Sequence, residues 1–262
     1  MHSETTEYAL VTGASSGIGR ELARQLAAEG MNVVLVARDA ERLRQVAAEI
    51  ERESQVTVRV LPKDLRAPDA PREIYSELEA AAVDIAVLVN NAGTCVYDDF
   101  CESDLDAEIE MIHVNVTALT CLTKLFLTQM LTRGSGRILN VASGAGLCPV
   151  PMVAAYGATK AYVLSLSEAL AHELRGTGVS VTCLCPWPTE SGIQERSGLG
   201  GSRAHRGKLA DPAEVARIGL AACKRRDVIA VPGLENRLLV FAMRFAPRKM
   251  NTRVSAWMFE RV

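Results

Sequence analysis

Short β-branched runs alternate with longer amphipathic ones along most of this chain. Tyr8–Thr12, Asn32–Ala37, Val56–Val60, Ile85–Asn90, Arg137–Val141, Ser180–Cys185 and Val228–Pro232 read as strands, and most are continuously apolar. Continuous runs are what parallel strands need when helices cover both faces of their sheet. The intervening segments Ile18–Glu29, Asp39–Glu53, Pro68–Ala82, Asp104–Arg133, Ala154–Arg175 and Pro212–Cys223 read as helices. The last has a start signal, with Asp211 at the N-cap, Pro212 at the first helical position and Glu214 three residues after the cap. The series predicts an α/β fold: a doubly wound parallel sheet of about seven strands, helices on both faces, one domain over residues 1–262. Its ligand crevice is expected at the carboxyl ends of the strands.

Two stretches break the rhythm. Ser191–Lys208 is rich in Gly, Ser and charge, and is expected to be a mobile substrate loop above the crevice. From Glu235 onward six Lys/Arg and two Glu are mixed with bulky apolar residues. Three fates are open to such a tail: folding over a pocket, packing between subunits, or weak contact with a membrane surface.

Composition narrows the function classes. The 262 residues are 48% hydrophobic, enough for one large core, and a formal net charge of -2 leaves no basic footprint for nucleic acid. Seven cysteines without a CxxC pair, and four histidines without zinc spacing, predict reduced thiols and no metal site. The start, Met1 to Glu7, is polar and acidic, unlike a signal peptide. No apolar run approaches the about 20 residues of a membrane span. A cytoplasmic protein is expected, with the tail as the one possible membrane contact.

The chemistry begins at the first strand, which runs into Thr12-Gly13-Ala14-Ser15-Ser16-Gly17-Ile18-Gly19 and then a helix. Glycines allow the sharp turn and close approach that a pyrophosphate requires, and the helix N-terminus favours its charge. After the second strand, a site preferring NAD would carry an acid, but Arg38 stands there, able to pair with a 2′-phosphate. NADP(H) is therefore favoured over NAD(H). Asp64 and Leu65 follow the third strand, where the carboxylate can accept from an adenine amino group. Asn90, Asn91, Ala92 and Gly93 end the fourth, where small residues let the backbone pass close to a ribose.

Tyr156 and Lys160 lie one helical turn apart, with Ser143 thirteen residues before the tyrosine. At i and i+4 they share a helix face, and a fixed cation lowers a phenol pKa from its usual value of about 10. The pair has the makings of a general acid/base.

Taken together, Thr12-Gly13-xxx-Gly17-x-Gly19, Asp64, Asn90-Asn91-Ala92-Gly93, Asn115, Ser143 and Tyr156-xxx-Lys160 resemble the classical short-chain dehydrogenase/reductase family. The resemblance runs from about Tyr8 to Gly233 and implies a Rossmann-type fold. It implies that Tyr156 exchanges the substrate's hydroxyl proton and that Lys160 lowers the phenol pKa and holds the nicotinamide ribose. Ser143 would bond the carbonyl oxygen, and Asn115 would hold a water linking Lys160 to solvent. Thr189 and Ser191 would grip the nicotinamide, although Trp187 replaces the family's glycine after Pro186. The long helices at Asp104–Arg133 and Ala154–Arg175 would pair subunits into a homodimer or homotetramer. The expected function is an NADPH-dependent interconversion of a ketone and a secondary alcohol, on an apolar or lipid-like substrate. The alternative is an NADP-binding sensor or scaffold without turnover.

Overall fold

Seven parallel strands form one sheet in the order β3-β2-β1-β4-β5-β6-β7. They are β1 Tyr8–Thr12, β2 Asn32–Ala37, β3 Val58–Pro62, β4 Ile85–Asn90, β5 Gly136–Val141, β6 Val179–Leu184 and β7 Ile229–Ala230. The computed structural model describes residues 7–207 and 209–261. The acidic start up to Thr6 and Lys208, the last residue of the expected loop, lie outside the described residues.

Successive strand side chains point to opposite faces, so each run of buried residues feeds two cores. Ala9, Val11, Val33 and Leu35 pack against α1 (Gly17–Ala28), α2 (Ala40–Glu53) and, further along the sheet, α8 (Pro212–Arg225). Leu10, Val34, Val36 and Leu88 pack against α3 (Ala70–Ala80) and α5 (Leu119–Arg133) on the other face. Helix α4 is Leu105–Ile112 and α6 is Ala154–Glu173. Burying one such Val or Leu contributes about 1.5–3 kcal/mol, so slipping a strand by one residue would disrupt both layers. The strand order reverses between β1 and β4, where a doubly wound sheet opens its crevice.

Several elements differ from the sequence expectation. The helix predicted over Asp104–Arg133 has a π-helical turn, His113–Ala118, between α4 and α5. By length and composition, Leu105–Arg133 is also apolar enough to cross a membrane, unlike the expectation of no such run, yet half of its most apolar window is buried in this fold. Its apolar side chains, including Leu122, Phe126 and Met130, belong to the core. The expected irregular loop after Ser191 is folded into α7 (Ile193–Ser197) and two short 3-10 turns, with Leu199 and Ser202 buried. The tail forms α9 (Leu234–Met243) and α10 (Arg248–Phe259). Strand β7 is two residues long because only Cys183 and Leu184 of β6 pair with it.

Candidate functional site

A cleft of about 1050 Å³ runs along the carboxyl ends of the strands, from the tips of β1, β2 and β3 to α9 and α10. At one end Gly13, at φ +67, turns the chain out of β1, and an added Cβ would stand 2.8 Å from the Asn91 side-chain nitrogen. Only glycine fits so near the β4 exit. Thr12 and Asn91 join the two strand tips. The Thr12 hydroxyl accepts from the backbone amides of Asn91 and Ala92 at 3.0 Å, and Asn91 Nδ2 donates to the Thr12 carbonyl at 2.9 Å.

Ser16 is the N-cap of α1, and its side chain makes no capping bond. Asp39 and Asp211, in contrast, each accept a helix amide at 3.0 Å at the starts of α2 and α8. The first amides of α1 are thus left to an anionic ligand in the cleft, which Gly13, Ser15, Ser16, Gly17, Ile18 and Gly19 all line. Arg38 lines it at the tip of β2 and is exposed, with no ion pair among the described residues. Arg42, one turn further on, lines it too. Lys63 is also there, but Glu73 holds its ammonium at 2.9 Å. These groups fit the phosphates of a dinucleotide.

Asp64 and Leu65 line the same end. The Asp64 carboxylate accepts from Arg66 Nε at 2.9 Å and Nη2 at 2.7 Å, and this partner holds its pKa below the ordinary value. Ala92 and Gly93 line the middle of the cleft, but Asn90 does not. Its side chain turns into the core and donates to Thr123 Oγ1 and Asn140 Oδ1, both at 2.9 Å.

Beyond the middle stand Ser143, Tyr156 and Lys160. Ser143 follows β5 and caps a short turn, its hydroxyl accepting from the Ala145 amide at 3.1 Å. Lys160 is 4% exposed, donates to the Val141 carbonyl at 2.9 Å, and has its Nζ 5.8 Å from the centre of the Tyr156 ring. Asn115 sits behind them in the π-helical turn and does not line the cleft. Its amide brackets Thr94, accepting from the backbone N–H at 3.0 Å and donating to the carbonyl at 2.9 Å, and reaches Thr159 Oγ1 at 3.1 Å. The turn therefore links the β4 exit loop to α6.

The electrostatics correct one expectation. Burial raises the Tyr156 pKa, the sulfur of Cys95 adds to the rise, and a bond from Ser143 opposes it. Lys160 does not reverse this. Its own ammonium is stripped of water by burial, which pushes its pKa down to about 8.

Thr189 and Ser191 line the cleft beside Trp187. Gln194 clamps this turn, accepting from the Ser191 amide at 2.9 Å and donating to the Thr189 carbonyl. The far wall is apolar, with Cys95, Val150, Leu199, Met243, Met258 and Phe259 among its residues. Between Leu147 and Val153, Cys148 and Val150 line the cleft. The tail closes this wall: Ser255 donates to the Pro149 carbonyl and Tyr97 to the Phe259 carbonyl, both at 2.7 Å. Thr12 and Asn91 belong to motifs legible in the sequence, although not their side-chain bonds to each other, whereas Arg42 and Gln194 stand outside every motif. The one-turn spacing of Arg42 from Arg38 was a usable signal, whereas Gln194 carried none.

A family model described as short chain dehydrogenase matches residues 7–199. The chain belongs to the short-chain dehydrogenase family. Within that family, human very-long-chain 3-oxoacyl-CoA reductase is 38% identical over 187 residues, which are 69% of this chain and 59% of the relative. Mouse 17-beta-hydroxysteroid dehydrogenase type 3 is 37% identical over 183 residues, with the same coverage of 69% and 59%. The chain thus spans about three-fifths of the length of these curated relatives. Among solved structures, a short-chain dehydrogenase from Sphingobium yanoikuyae in complex with NADPH has a TM-score of 0.83 at 33% identity, covering 94% of this chain and 95% of that one. The bulky-bulky ketone specific alcohol dehydrogenase from Comamonas testosteroni has a TM-score of 0.77 at 30% identity, covering 91% and 92%.

Proposed function

We propose that the chain is an NADPH-dependent oxidoreductase that interconverts a bulky apolar ketone and its secondary alcohol. The observation that carries this reading is one continuous cleft with a glycine turn and two arginines at one end, Tyr156, Lys160 and Ser143 inside, and an apolar wall beyond. Gly13, Ser15, Ser16, Gly17, Ile18 and Gly19 hold the pyrophosphate, and Arg38 and Arg42 the 2′-phosphate. Asp64, Leu65, Ala92 and Gly93 border the adenosine, and Thr189 and Ser191 the nicotinamide amide. When bound there, a nicotinamide dinucleotide supplies or accepts the hydride.

The chain's own part is the proton. Ser143 donates a hydrogen bond to the substrate oxygen and Tyr156 exchanges its proton. Because burial raises the phenol pKa, Tyr156 is protonated near neutrality, which suits donation to a nascent alkoxide and hence reduction. Lys160 orients the ribose, and Asn115 steadies the Thr94 loop against α6. The relatives named for a 3-oxoacyl thioester, a hydroxysteroid and bulky ketones support a large apolar substrate.

The reading includes a cytoplasmic homodimer or homotetramer. Leu105, Ile109 and Ile112, 42–70% exposed at one-turn spacing on α4, support a subunit contact there. The second reading, a cofactor-binding sensor without turnover, draws only on Trp187 beside the nicotinamide end. NADPH oxidation against a panel of bulky ketones separates the two, with cofactor binding followed by fluorescence. Turnover by the wild type and its loss in Tyr156→Phe, with binding intact, is the expected result. Equal rates in both proteins sink the catalytic assignment, and tight binding without turnover by the wild type favours the sensor.

A further inference from the structure

Helix α9 is apolar on two sides. Leu239, Ala242, Met243 and Ala246 line the cleft. Leu234, Leu238, Phe241 and Phe245 do not, and they are 70%, 61%, 61% and 76% exposed. Their spacing of i, i+4, i+7 and i+11 stacks them into one outward stripe that continues into the turn after the helix. The rings of Phe241 and Phe245 meet edge to face at 5.2 Å, so the stripe presents a joined surface. Four bulky side chains aligned in water need an occupant.

Charge selects it. Arg237 and Arg244 border the stripe along one edge, and Arg248 and Lys249 follow it into the start of α10. All four are exposed and none forms an ion pair among the described residues. Glu235 is the sole carboxylate between Val231 and Phe259. Joining two copies through this stripe would set arginine against arginine. An anionic surface with an apolar interior satisfies both parts at once.

We propose that the outward stripe of α9 docks on an anionic lipid bilayer and that apolar substrate reaches the cleft from the lipid. Basic amphipathic helices lie in the plane of the headgroups with their apolar face sunk about 5–10 Å. A helix is only about 10–12 Å thick, so the cleft-lining side of α9 then stands next to the acyl boundary. An apolar ketone moves from lipid to cleft around one helix without crossing bulk water. The docking surface is independent of the catalytic residues, while the substrate route rests on the ketone-reductase reading.

Co-sedimentation with phosphatidylserine/phosphatidylcholine vesicles and with phosphatidylcholine alone, at low and high salt, tests the docking with no substrate present. Failure here is therefore distinct from failure of the ketone assay. The full chain is expected to pellet with the anionic vesicles at low salt and to be released by salt. Phe241→Ser/Phe245→Ser and Arg237→Glu/Arg244→Glu are each expected to weaken binding by about tenfold or more, with NADPH binding retained as the check on folding. A chain that stays in the supernatant, or variants that bind like the wild type, overturns the proposal. So does a fall in oligomer size in the phenylalanine variant without a change in vesicle binding, which would make the stripe a subunit contact.

Discussion

The six-membered ring of Trp187 lies so close to Gly144 that a β-carbon on the glycine would stand 2.6 Å from two of its atoms. The Gly144 amide also donates to the Pro186 carbonyl at 2.9 Å, so the strand exits carrying Ser143 and Trp187 are fixed to each other. Gly144→Ala should destabilise the fold by about 1–3 kcal/mol through overpacking, and should cost much less in a Trp187→Gly background. Urea denaturation of the four proteins measures this coupling. An equal cost in both backgrounds would show that the indole is not the obstacle.

Lys160 predicts a pH signature. Its native pKa of about 8 lies below the ordinary 10.5, so between these values the unfolded chain holds a proton that the native state has released. Protonated Lys160 costs stability below pH 8, and the cost is relieved as pH rises toward 10.5. Stability of the wild type relative to Lys160→Met should therefore climb across that window. A flat difference in denaturation free energy from pH 7 to 10 would contradict it.

The adenosine end predicts cofactor choice. Arg38 and Arg42 both line the cleft beside β2; Arg38 has no ion pair among the described residues, and Arg42 meets only the exposed Asp39, at 3.5 Å. Replacing each with Gln should lower the preference for NADPH over NADH by about 10- to 100-fold, the worth of one charge-assisted bond. The ratio of kcat/KM for the two cofactors reports it. An unchanged ratio would remove the arginines from phosphate recognition.

Asn115 makes three buried or part-buried bonds, two to Thr94 and one to Thr159. Asn115→Ala leaves those groups without partners and should lower stability by about 1–3 kcal/mol. Because Thr94 adjoins Gly93, cofactor affinity should fall with it. A variant of wild-type stability and affinity would limit the residue to contacts outside this bracket.

What the sequence made legible was whatever local pattern encodes. Most of the strands are legible because parallel strands buried on both faces are continuously apolar, and β1, β2 and β4 match residue for residue, whereas β3 is an edge strand with only Leu61 buried. The glycine turn, Arg38, Ser143, Tyr156 and Lys160 follow from chemistry at strand ends and on a helix face. The tail was not legible as two helices, because its inner contacts, Ser255 with Pro149 and Phe259 with Tyr97, span more than a hundred residues. Asn90 was misleading for a related reason. Its polarity at a strand end reads as a ligand group, yet the fold supplies Thr123 and Asn140 as partners. The raised phenol pKa was hidden too, since burial is a property of the folded cleft and not of the one-turn spacing.

The π-helical turn His113–Ala118 makes the number of residues in this stretch matter as much as their identity. It holds one residue more than an α-helical path needs. Deleting one of them would let an α-helix run through with the later residues in almost the same phase, because the wide turn absorbs the extra residue. Leu122, Phe126 and Met130 would keep facing the sheet, whereas Asn115 would lose its line to Thr94 and Thr159. Substitutions in this turn alter single contacts, but a one-residue deletion spares the core layer and undoes the surroundings of Asn115.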